Sequence, residues 1–187
     1  MKKASSRFGV RIITQGAMIA ALYVVLTYLS SFFGLASGAI QVRLSEMLTV
    51  LPYFTPAAIP GLFVGCILAN MLTGCLPWDI VFGSLATLIG AVGTWLLRKK
   101  WKYLATIPPV LANAIIVPFV LQRVYGVQDT YWFLLLTVGI GEIIACCILG
   151  GVLLGVLDRR RQVFGKDAVL KDSKKDPEDK DTKTLSE

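Results

Sequence analysis

The sequence predicts an all-α membrane protein with about six transmembrane helices and both termini on the cytoplasmic side. Three observations predict it. Of 187 residues, 55% are hydrophobic and 17% charged, with a mean hydropathy of +0.67. A soluble chain carries about a quarter charged residues. Apolar runs of spanning length recur between short turns, and the basic residues gather at alternate turns.

The elements follow in order. The first helix runs from about Arg11 to Phe33 and leads into a glycine-containing loop, Gly34–Gln41. It is too long for a removable signal peptide and lacks a small-residue cleavage site. A short second helix covers about Val42 to Tyr53. Thr55-Pro56 reads as an N-cap with proline at the first helical position, opening a third helix to about Leu72. Thr73–Pro77 is a turn. The fourth helix covers about Trp78 to Leu97, and the basic turn Arg98–Lys102 separates it from a fifth, Tyr103 to Val124. Gly126–Thr130 is the next turn, and the sixth helix runs from about Tyr131 to Leu157. No internal repeat is evident.

Charge divides the chain. Residues 1–161 hold 13 Lys/Arg against 5 Asp/Glu, and residues 162–187 hold 6 Lys against 7 Asp/Glu. With the N-terminus inside, Lys2, Lys3, Arg7, Arg11, the Arg98–Lys102 turn and Arg159–Arg161 all fall on the cytoplasmic side. Only Arg43 and Arg123 fall outside. The basic excess is therefore an orientation signal and not a nucleic-acid footprint. Residues 1–161 form the membrane domain. The tail, 162–187, has too little apolar surface to offset chain entropy and is expected to be disordered in the cytoplasm.

The segment Gln41–Asn70 is the most informative. It sets Arg43 and Glu46 at i,i+3 spacing in sequence that otherwise belongs in a bilayer, and Pro52, Pro56 and Pro60 break the run. Interrupted helices at membrane depth are where membrane proteins hold polar solutes. Under the same topology Asn70 lies near the outer end of the third helix, Asp79 at the outer start of the fourth, Asn113 near the middle of the fifth and Glu142 midway along the sixth. All converge on the outer half of the bundle, which points to a pocket open to the outside.

Each residue has a second reading. Glu142, unpaired and facing lipid, would cost about 2.5–3.5 kcal/mol, so it meets either a ligand or Arg43 or an amide. Arg43 and Glu46 either serve a ligand or neutralise each other across one helical turn. Asp79 is a ligand group or a helix cap. Asn70 and Asn113 are ligand groups or interhelical glue. Trp78, Tyr131 and Trp132 anchor at the outer interface, and Trp78 is the candidate for stacking on a flat ligand.

Cys66, Cys75, Cys146 and Cys147 form no CxxC pair, and the chain has no histidine. Neither a metal site nor a cofactor is expected. The pairs Ala17/Ala21, Gly61/Gly65 and Gly151/Gly155 have the four-residue spacing that allows close helix approach.

Residues 41–70, QVRLSEMLTVLPYFTPAAIPGLFVGCILAN, together with Trp78–Ala91, WDIVFGSLATLIGA, resemble the QueT family of queuosine-precursor transporters. The resemblance covers about Arg11 to Asp158. Its size, broken second and third helices and Ala17-xxx-Ala21 pair also look like the substrate-binding (S) component of an energy-coupling factor (ECF) transporter. That implies an S-component-like bundle that captures queuine or a related 7-deazaguanine outside the cell. It implies as partners a transmembrane coupling protein, facing Ala17 and Ala21, and two ATPase subunits. No GxxxxGK[ST] phosphate loop is present, which fits dependence on a separate ATPase. On the same reading Glu142 or Glu46 accepts the donor edge of the base, and Asp79 meets a cationic aminomethyl group.

Other readings follow from the same residues. An S component for a flavin-, pterin- or thiamine-like vitamin would have the same fold. A membrane assembly subunit without ligand would leave the outer clustering of charge unexplained. An enzyme is not expected: no histidine is available for a Ser-His pair, and no GxSxG elbow occurs.

Overall fold

The computed structural model describes residues 2–35, 40–100, 102–126 and 128–159. The expected charged tail, 162–187, lies outside the described residues, as do residues 36–39 of the first loop. All regular structure among the described residues is helical. Helix α1 spans Lys2–Phe32, α2 Ala58–Leu72, α3 Pro77–Leu97 and α4 Ile107–Arg123. Helix α5, Tyr131–Glu142, passes through a π-helical stretch, Ile143–Leu149, into α6, Gly150–Arg159. These three pieces occupy the single long helix expected from Tyr131.

Four helical stretches are long and apolar enough to cross a membrane, judged by length and composition: Gly9–Phe32, Pro77–Leu97, Lys102–Arg123 and Tyr131–Arg159. Helix α2 is apolar but shorter. Large apolar side chains stand outward along these rods, among them Met18, Phe32, Leu96 and Val152, each more than 60% exposed. A belt of that kind suits lipid and not water.

The expected second helix differs in kind. Leu44–Tyr53 is a 3-10 helix, and seven of its ten residues are buried. Pro52 lacks the N–H that an α-helical ladder needs, and its ring would crowd the carbonyl four residues back. At about 2 Å rise per residue the segment extends roughly 20 Å, short of a hydrocarbon core of about 30 Å. It runs inside the bundle, packed against α1, α3, the π stretch and α6. Irregular backbone at membrane depth is tolerated where protein surrounds it in this way.

Tight helix contact fixes the frame. A Cβ added at Gly61 would lie 2.6 Å from the Gly16 backbone oxygen, so α1 and α2 meet backbone to backbone there. Gly65 rests on Ala20 and Tyr23 one turn further on. By contrast, a Cβ added at Gly151 or Gly155 would meet nothing within 4 Å among the described residues, so that pair marks no close helix approach there. Below this seam the core is apolar, built from Ile19, Leu48, Leu51, Leu62 and Ala69. Thr55 accepts the Ala57 N–H at 3.4 Å and donates to Gln15 at 3.2 Å, holding the break between the 3-10 segment and α2. Gly74, at φ +75°, takes the left-handed conformation that ends α2 and turns the chain toward α3.

Candidate functional site

Helix α1 sets Tyr23, Thr27 and Ser30 on one face at i, i+4 and i+7 spacing, all buried. Ser30 accepts the Leu44 N–H at 2.8 Å, and Val42 N–H donates to the Leu35 carbonyl at 2.9 Å. These bonds lay the extended segment Gln41–Arg43 across the end of the bundle. Beneath it lie two cavities, and Gln41, Arg43 and Val117 line both.

The outer cavity has a volume of about 400 Å³ and is lined by Thr27, Ser30, Asn70, Asp79 and Tyr125, among others. Asp79 sits in the first turn of α3. Its carboxylate caps no helix; Oδ2 accepts a hydrogen bond from the Tyr125 hydroxyl at 3.1 Å. The same phenol oxygen accepts the Leu76 N–H at 3.3 Å. Partial burial, with the Asp79 charge adding to it, holds the Tyr125 phenol above its ordinary range, so it remains a donor at neutral pH.

The inner cavity holds only about 10 Å³, close to the room of one water. Glu46, Asn113 and Glu142 line it, and they are 1%, 3% and 5% exposed. Glu46 Oε1 accepts a short hydrogen bond from the Tyr23 hydroxyl. Its Oε2 accepts from Asn113 Nδ2 at 3.2 Å. Glu142 is the last residue of α5, where the helix widens into the π stretch, and its Oε2 accepts from the Cys146 thiol at 3.5 Å. One carboxylate oxygen from each glutamate and Cys146 Sγ lie within 4.8 Å of one another. Thr49 braces the floor, donating to the Glu46 carbonyl at 2.6 Å. π-helical turns often mark functional sites.

Arg43 precedes the 3-10 segment with an extended backbone, φ −94° and ψ 107°. It is not ion-paired to Glu46, whose oxygens are taken by Tyr23 and Asn113. The two side chains are therefore not in direct contact, and their opposite charges attract at longer range within the bundle. Arg43 lines both cavities.

The fold thus brings together Arg43, Glu46, Asn70, Asp79, Asn113 and Glu142. Asn70 Nδ2 reaches the Cys66 sulfur of its own helix at 3.6 Å, and among the described residues its side chain makes no hydrogen bond to another helix. Trp78 stands apart. It is 62% exposed, stacks on Phe82 with centroids 6.1 Å apart, and lines neither cavity. Ala17 and Ala21 face outward on α1, and their neighbours Gly16 and Ala20 make the contact with α2. Sequence reasoning missed Tyr23, Gln41, Tyr125 and Cys146. For Tyr23 a signal existed: Tyr23, Thr27 and Ser30 draw one polar stripe down an otherwise apolar helix.

Comparison with known proteins adds the family. The QueT transporter family profile matches residues 13–159. The queuosine precursor transporter QueT of Lactococcus lactis subsp. cremoris (strain MG1363) is 38% identical over 74 residues. That stretch spans 39% of this chain and 43% of the relative. No solved structure matches. The family match covers most of the chain and takes in every residue that lines the two cavities, and this multi-pass membrane protein belongs to the QueT transporter family.

Proposed function

We propose that the chain captures a queuosine precursor, queuine or a related 7-deazaguanine, from outside the cell and serves as the S component of an ECF importer. One observation carries the reading: two buried carboxylates, Glu46 and Glu142, line with Asn113 a small cavity that shares Gln41, Arg43 and Val117 with a larger one, in a QueT-family chain. A deazaguanine presents adjacent N–H donors beside a carbonyl acceptor. One carboxylate takes two such donors in a bidentate pair, and an amide or guanidinium serves the carbonyl. Asn113 and Arg43 line the same cavity as the carboxylates and supply that partner on this reading.

The outer cavity, at about 400 Å³, lies in the range of small-molecule sites. The floor is far smaller, so the base edge enters by displacing the Gln41–Arg43 segment. The cavities lie at the end of the bundle away from Lys102 and Asp158, which pair at 2.6 Å. With Arg98–Lys102 and Arg159 on the cytoplasmic side, the outer cavity faces outward. About six spans and cytoplasmic termini complete this topology. Ala17 and Ala21 then offer a flat, small-residue surface to a transmembrane coupling protein, which two ATPases would drive.

The test is calorimetric titration of the purified protein in detergent with queuine, its 7-aminomethyl and 7-cyano precursors, guanine and riboflavin. Tight binding of a deazaguanine without response to riboflavin is the expected result. Silence toward all the purine-like compounds from folded protein would refute the reading.

A further inference from the structure

A third cavity shares no residue with the two described above. Its volume is about 420 Å³, and its walls come from α6 and from the start of the 3-10 segment Lys102–Thr106.

The α6 wall is sorted along the helix. Val152, Val156 and Arg159 stand at i, i+4 and i+7 and so share one face. At 1.5 Å rise per residue, Val152 lies about 10 Å from Arg159 along the axis. Val152 and Val156 are exposed apolar side chains, and Arg159 is exposed and charged. Gly155 lines the same wall, and a Cβ there would meet nothing within 4 Å, so a slot stays open beside the valines. Opposite, the exposed Tyr103 ring carries Lys102 Nζ at 5.8 Å from its centroid, a pairing suited to a membrane–water interface. Lys102 is also paired with Asp158 at 2.6 Å. Two cations and one carboxylate line the cavity, which leaves one positive charge in excess. Arg159 makes no ion pair or hydrogen bond among the described residues.

We propose that this groove binds one anionic phospholipid with the chemistry of phosphatidylglycerol. Its phosphodiester rests on Arg159 beside Lys102, and one acyl chain lies along Val152 and Val156 in the slot left by Gly155. The single negative charge of the phosphodiester matches the single excess cation. A guanidinium offers paired N–H donors to two phosphate oxygens, and basic pockets beside transmembrane helices suit anionic head groups. The step of about 10 Å from charge to apolar wall follows the step from head group to acyl chain. A free phosphate would use the cation and leave the apolar slot to water. A choline lipid brings a cation of its own that cancels the match. The site is independent of the transported substrate, and on the topology proposed above its lipid belongs to the cytoplasmic leaflet.

The experiment is native mass spectrometry of the full chain, purified in detergent and supplied with equal amounts of phosphatidylglycerol and phosphatidylcholine. Wild type should retain one phosphatidylglycerol, with about fivefold preference over phosphatidylcholine. Arg159→Gln should abolish the preference. Gly155→Leu fills the slot without changing charge and should lower retention of both lipids. Lys100→Gln removes a charge that does not line the groove and should behave as wild type. Glycerophosphoglycerol, the head group alone, should not displace the lipid. Equal retention of both lipids by wild type, or equal losses in Lys100→Gln and Arg159→Gln, would overturn the site in favour of general surface charge. Displacement by the head group alone would overturn it in favour of a soluble phosphate compound. Unchanged lipid in both groove variants would overturn it as well and leave the groove to a protein partner.

Discussion

The backbone carbonyl of Gln41 lies directly over Gly141: a Cβ placed on that glycine would fall 1.9 Å from the oxygen. The segment that roofs the inner cavity is thus seated on a residue with no side chain, one position before Glu142. Replacement by alanine must lift the roof or push back α5. We expect Gly141→Ala to weaken substrate binding by at least tenfold and to lower stability by about 1–3 kcal/mol, the usual cost of overpacking. Titration and thermal melting of the same preparation measure both. Unchanged affinity would show that the roof does not shape the site.

The two glutamates are expected to be unequal. Glu46 accepts from the Tyr23 phenol and the Asn113 amide, whereas Glu142 accepts from the weaker donor of the Cys146 thiol, shares the Asn113 amide with Glu46 and is freer to engage a ligand. Glu142→Gln should therefore reduce affinity by about tenfold to a hundredfold with little change in melting temperature. Glu46→Gln should reduce both affinity and thermal stability. If Glu142→Gln binds as tightly as wild type, that carboxylate leaves the list of ligand groups.

Tyr23 has a structural duty. Removing its hydroxyl leaves a buried carboxylate oxygen without a donor, a loss of about 1–3 kcal/mol. Tyr23→Phe should lower the melting temperature in detergent, and Tyr23→Phe combined with Glu46→Leu should recover part of the loss. Two independent losses that simply add would argue against the bond.

The outward pair on α1 predicts a split between capture and transport. Ala17→Trp with Ala21→Trp changes a surface that is exposed on α1. Ligand affinity should stay within about threefold of wild type, while uptake by cells supplying the coupling protein and ATPases should fall to background. Normal uptake by the double variant would remove this face as the docking surface.

Near the other end, the Lys102–Asp158 pair offers a contrast. Its side chains are 29% and 25% exposed, and pairs of that kind contribute about 0–1 kcal/mol. Asp158→Asn should leave melting and binding nearly unchanged, and a shift of more than a few degrees would show that the pair is coupled to the bundle's packing.

Much of this architecture was legible in the residues. Long apolar runs with basic turns announced the helices from Arg11, Trp78, Tyr103 and Tyr131, because bilayer thickness imposes their length. The polar set also converged as expected, since a carboxylate or amide at membrane depth has few places to go except toward its own kind. Three things stayed hidden. Leu44–Tyr53 keeps helical spacing in its sequence, and only Pro52 and burial on all sides explain its 3-10 form. The π stretch after Glu142 reads as ordinary apolar helix. Tyr125 sits past the end of α4 in a turn, where no periodicity marks it, and its role depends on Asp79 approaching from a different helix. Trp78 shows the converse: an aromatic beside a site residue in sequence can point 100° away from it on a helix.

The single-water floor has a kinetic meaning. Under the function proposed above, a bicyclic base cannot reach Glu46 and Glu142 while Gln41–Arg43 rests in place, so association must wait for that segment to lift. Observed binding rates should then level off at high ligand concentration instead of rising without limit, and sit well below those of a diffusional encounter. The same closed resting state also works against the ligand once its contacts are loosened. Under the function proposed above, relaxation of Gln41–Arg43 to its resting place would itself help to expel the cargo.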